Sequence, residues 1–129
     1  MVVISISAIA CMGMGLELAG YKRWQSYKEG KNVEHFKAWF GAKPISCEKI
    51  WVDLQTTTNE EARIKKSANP LHLLLALHFL KAYPTEKKFA AIFSMSEVTV
   101  RKWSSLYIRK LQLLKSEKVS TGTALMTHD

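Results

Sequence analysis

The stretch "NPLHLLLALHFLKAYPTEKKFAAIFSMSEVTVRKW", Asn69 to Trp103, holds three helix starts and two breaks. Asn69 is a favoured cap, and Pro70 suits a first helical position, where its missing N–H is not needed. Leu71 to Tyr83 is apolar nearly all round, so the helix it predicts is buried on most sides. At thirteen residues it is too short to cross a bilayer, which takes about 20. Pro84 ends it, because a proline disfavours helical geometry at the residue before it. Thr85 then caps a short helix to about Phe93, and Ser94-Met95-Ser96 breaks the pattern. Ser96 caps the next helix, with Glu97 at the positive end of its dipole. Val100, Trp103, Tyr107, Leu111 and Leu114 recur at spacings of three and four, one buried stripe on a helix from Glu97 to about Lys115.

Working toward the N-terminus, "TTTNEEARIKKSA" has no strong apolar period and reads as a linker. "KPISCEKIWVDLQ" opens on Pro44 and keeps helical spacing at Ile50, Trp51 and Leu54. "NVEHFKAWFGA" predicts a helix capped by Asn32 and stopped by Gly41. "YKRWQSYKEGKN" predicts a short helix ending near Gly30. No strand-length alternation and no internal repeat is present. The fold class is all-α, a small helical bundle over 21–115 that contains a helix-turn-helix at 85–115. The tail from 116 to 129 is small and polar, and is expected to be loose.

The first twenty residues, "MVVISISAIACMGMGLELAG", form an apolar leader with no charge before Glu17. They lack the basic start of a signal peptide. Glu17 and two interior glycines leave them short of a membrane anchor. The favoured expectation is a start with little part in the domain. A signal or anchor comes second, and a core helix last. Membrane association is expected only if residues 1–20 act as an anchor.

Hydrophobic residues make up 47% of the 129, enough for a folded core in one domain. Net charge is +8, with a pI near 9.6, which favours an anionic partner, nucleic acid first. Lys81 to Lys118 carries nine Lys/Arg against three Glu, a balance of +6, so most of the excess lies on the quoted stretch and the residues just after it. Cys11 and Cys47 are far apart, with no CxxC and no zinc spacing, and are expected to be reduced thiols. His72 and His78, six apart, point to different helix faces rather than to one metal. The chain has no Ser/His/Asp set and no glycine-rich phosphate loop, so no enzyme and no cofactor is expected.

A DNA-reading corner needs a capped short helix, a small contact residue, a plugged turn and a second helix with one face free. Thr85, Ala90, Met95 and Val100 fill those places, with Ser94 where glycine is common. The face opposite the stripe carries Val98, Arg101, Lys102, Ser105 and Arg109. Arg101 and Lys102 lie where base edges are in reach, and arginine can bond a guanine twice. Ser96, Thr99 and Ser105 can meet phosphate or base. Lys87 and Lys88 would lie over the backbone and add affinity without sequence information. The expected partner is double-stranded DNA. The alternatives are a helical domain that binds protein, and not DNA, through the surface around Trp24, Trp39 and Trp51, or a small membrane-tethered basic protein.

Three pieces of the chain carry a resemblance: "FGAKP" with "CEKIW" after it, "HLLLALHFLKAYPTE", and "SEVTVRKW". Together, over roughly Phe36 to Val119, they resemble the helical N-terminal region of Harbinger-like transposases of the DDE superfamily. The resemblance implies a helix-turn-helix that recognises element ends, with Ser96 to Arg109 as the reading helix and Arg101 and Lys102 as its prominent bases. It also implies a homo-oligomer or an accessory DNA-binding protein as partner, and a nuclear location. Such transposases cut DNA with metal ions held by three carboxylates on a sheet domain. This chain has two aspartates, Asp53 and Asp129, and no carboxylate trio can be assembled. The implied protein is a remnant or fragment that binds DNA and does not cut it.

Overall fold

Six helices and one single turn make up the regular structure among the described residues. The computed structural model describes residues 7–65 and 67–122, with side chains to 116. The helices are α1 (Ala8–Leu18), α2 (Glu29–Phe40), α3 (Pro44–Thr56), α4 (Pro70–Ala82), α5 (Glu86–Phe93) and α6 (Glu97–Gly122), with a 3-10 turn at Trp24–Ser26 before α2. The all-α expectation holds. No helix among the described residues is long and apolar enough to cross a membrane.

α4 is the centre of the bundle. Asn69 Oδ1 accepts the Leu71 N–H at 3.0 Å, and Pro70 takes the first helical place. Six consecutive residues, Leu73 to His78, are buried, with α6 on one side and α2 on another. Tyr83 leaves the helix at φ 48°, in the left-handed region, ahead of Pro84. That geometry is uncommon for a bulky residue. Here it turns the chain into Thr85 while the Tyr83 N–H still bonds the Phe79 carbonyl at 2.8 Å.

The apolar leader is the main correction. Residues 8–18 form a core helix, the outcome the sequence favoured least. Ser7 caps α1 by accepting the Ala10 N–H at 3.1 Å, and Cys11, Met12 and Leu16 are buried. α1 packs on α2 and α3. The glycines that count against an anchor are the reason the helix fits. A methyl on Gly13 would strike the Trp24 ring, and one on Gly15 would strike Phe36 and Phe40. Small residues let aromatic rings seat against the helix backbone. Residues 1–6 lie outside the described residues.

Three boundaries also move. The helix expected to end near Gly30 is only the turn at Trp24–Ser26, and Gly30 lies inside α2. Asn32, expected as a cap, is buried within α2, where its Nδ2 donates to the Trp24 carbonyl at 2.8 Å. A tertiary bond has claimed the side chain that would otherwise cap locally. Gly41 stops α2 as expected, at φ 76°. The helix expected to end at Lys115 continues to Gly122. No proline or glycine interrupts "SEKVST", and once nucleated a helix propagates cheaply. The first residues of the expected loose tail, from 116, are therefore helical; residues 123–129 lie outside the described residues.

The stretch from Thr57 to Asn69 is not a free linker. Asn59 Oδ1 accepts the N–H groups of Glu61 and Ala62 at 3.0 and 3.3 Å, a side-chain turn. Ala62 and Ile64 are buried, and the Ile64 N–H bonds the Leu54 carbonyl at 3.1 Å. The three tryptophans expected to mark a protein-binding surface are covered to different degrees. Trp51 is buried. Trp24 and Trp39 are half-buried against the core, their indole N–H groups donating to Glu17 Oε2 (2.9 Å) and to the Tyr21 hydroxyl (3.3 Å).

Candidate nucleic-acid interface

α5 and α6 are joined by a three-residue turn, Ser94 to Ser96. Thr85 Oγ1 accepts the Lys88 N–H at 3.2 Å and starts α5. Phe89, Ala90 and Phe93 are buried. Ser94 takes the left-handed conformation, φ 54°, that glycine would hold most cheaply. Met95 is half-buried against the core, and its N–H bonds the Ala90 carbonyl at 3.0 Å. Ser96 starts α6. Its Oγ accepts the Thr99 N–H at 3.1 Å and donates to Thr99 Oγ1 at 2.8 Å. Val100, Ser104, Tyr107 and Leu114 bury the inner stripe, with Trp103 and Leu111 half-buried beside them.

At 100° per residue, Val98, Lys102, Ser105 and Arg109 fall in one row on the open side of α6. All four are exposed, Val98 by 63%. Lys87 and Lys88 are exposed on α5. Arg101 is also exposed but is not free. Its Nη1 pairs with Glu86 Oε1 on α5 at 3.0 Å. Lys102 Nζ lies 4.8 Å from the centre of the Trp103 ring. Ser96 and Thr99 spend their hydroxyls on the cap, and Thr99 is half-buried. Among the predicted residues, then, Lys102, Ser105 and Arg109 share a row, Arg101 faces α5, and the cap pair serves the helix itself.

Sequence reasoning missed a second basic feature beside that row. Lys110 donates from Nζ to the carbonyls of Glu61 (2.9 Å) and Arg63 (3.1 Å), which ties α6 to the loop before α4. Partial burial lowers the Lys110 pKa, with Glu61 opposing. His72 stacks flat on Trp103, ring centres 3.7 Å apart and planes 8° apart. Burial and the Lys102 charge lower its pKa. Together with Arg63, Lys65 and Leu106, these residues line a groove of about 680 Å³. The basic run "ARIKK" was the available signal, but nothing local in it points to α6.

Cys11 and Cys47 are buried and free, their thiols in contact between α1 and α3. The hydrogen bond to Cys11, with burial, pushes the Cys47 thiol up. Among the described residues no group of three or more His, Cys, Asp or Glu is placed to hold a metal.

The chain matches no family model, no curated protein and no solved structure.

Proposed function

We propose that the chain binds duplex DNA through the α5–α6 corner, with the exposed row of α6 entering a groove and no chemistry done on the DNA. The observation that carries this reading is the row itself. Lys102, Ser105 and Arg109 stand exposed on the helix whose opposite face is buried in the core, in the part of the chain that holds most of the net positive excess. Lys87 and Lys88 add phosphate contacts from α5. Arg101 serves as a base contact once it exchanges Glu86 for guanine, a partner it can bond twice. The turn supports the reading too. Cap, buried alanine, half-buried plug and second cap fall in the order a helix-turn-helix uses. The likeness to the DNA-recognising region of Harbinger-like transposases agrees with it and would place the protein in the nucleus.

Fluorescence anisotropy of the full chain on a labelled random duplex tests this. Non-specific binding is expected at about 10⁻⁴–10⁻⁶ M, weakening steeply with salt. Lys87→Ala with Lys88→Ala should reduce the logarithmic salt slope by about two, one per lost phosphate contact, and Lys102→Ala with Arg109→Ala should weaken binding. A folded protein indifferent to DNA in dilute salt would end the proposal.

A further inference from the structure

The groove between the 60–69 loop and α6 has a size at which sites take a side chain or small ligand. Its floor is apolar. Ile64 is buried there, and Leu106 stands 41% exposed in mid-helix. Its wall is basic. Arg63, Lys65 and Lys110 line it against one carboxylate, Glu60. Two carbonyls fix the Lys110 ammonium and leave its third N–H for an incoming acceptor.

We propose that this groove docks an acidic peptide segment of a partner protein, one bulky apolar side chain covering Leu106 and Ile64 while flanking carboxylates meet Arg63, Lys65 and Lys110. Charge complementarity selects that occupant. A second copy of the chain carries the same net charge of +8 and is repelled from a basic wall. A nucleobase would need an open aromatic face on which to stack. On Trp103 that place is contested: His72 stacks on the ring, and the Lys102 ammonium stands 4.8 Å from its centre. An acidic segment with an apolar anchor needs only what the groove offers, a dry patch inside a ring of cations. Leu106 and Lys110 lie on the flank of α6, beside the row of Lys102, Ser105 and Arg109, so this docking stands apart from the DNA reading.

The test is fluorescence anisotropy of the full chain with a labelled synthetic peptide of Asp and Glu around one central Leu. One control peptide replaces the acids by Asn and Gln, and another replaces the Leu by Ser. Leu106→Ser tests the floor, and Arg63→Glu with Lys65→Glu tests the wall. Circular dichroism checks that each variant is folded. The acidic Leu peptide should bind, and each control and each folded variant should weaken it roughly tenfold or more. No binding in dilute salt by the folded parent overturns the proposal. So does binding that Leu106→Ser leaves unchanged, since charge alone would then suffice. Displacement of the peptide by a mononucleotide that itself needs Leu106 would assign the groove to nucleotide instead.

Discussion

His78 shows how much one side chain can set. It is buried on α4 among Trp39, Phe40, Phe89 and Phe93. Its Nδ1 lies 2.9 Å from the Trp39 carbonyl, so that nitrogen carries the hydrogen and donates. Nε2 is buried with no hydrogen-bond partner. A proton there would place a charge in an aromatic cage, and burial accordingly lowers the His78 pKa, with the Trp39 bond opposing. The folded pKa lies below the unfolded value, so the unfolded chain binds more protons at acid pH. Stability should be full above the unfolded value of 6.5 and fall as pH drops through and below it. Urea midpoints measured against pH check this. His78→Asn, whose amide can still donate to Trp39, should flatten much of the slope. His72 shifts in the same direction and would leave a smaller remainder. The sequence shows a histidine in a buried helix. The ring cage around it is assembled from α2 and α5 and has no local signal.

Among the elements, legibility followed the range of the forces at work. α4, α5 and the start of α6 were readable because Asn69, Thr85 and Ser96 act within three residues of themselves. α1 was not readable. Its identity rests on rings from Trp24, Phe36 and Phe40 that lie outside it. Gly15→Ala makes that dependence measurable. It should improve intrinsic helix propensity yet destabilise the protein by about 1–3 kcal/mol in chemical denaturation, because the added methyl overpacks the ring contact. A neutral or stabilising result would mean that α1 sits loosely. The α5–α6 corner was likewise readable as two capped helices, while the Glu86–Arg101 pair across it was not. Both partners are half-exposed, so the pair should contribute well under about 1 kcal/mol to stability. Its weight lies in binding. Glu86→Ala should leave the denaturation midpoint nearly unchanged and tighten duplex binding in anisotropy, by freeing Arg101 and removing a negative charge. Weaker binding would show instead that Glu86 holds Arg101 in its working position.

At the scale of the whole molecule, charge and core divide the chain in different ways. Net positive charge is concentrated from Lys81 onward, whereas the core draws on α1, α2 and α3 as well as on α4 to α6. The sequence therefore shows plainly where the net positive charge lies, and less plainly how much chain is needed to hold that surface in place. The buried loop before α4 makes the same point: Ile64 and Lys110 join halves that look separable in the sequence. One practical consequence concerns α1. A chain trimmed at Gly20 would keep every residue of the proposed DNA face. It would also bare apolar surface of Phe36, Phe40 and the Trp24 ring, against which α1 packs. Such a surface invites chaperones and self-association. Trimmed material would then precipitate with a polyanion by stickiness alone, and a pull-down would score as recognition what is only an open seam.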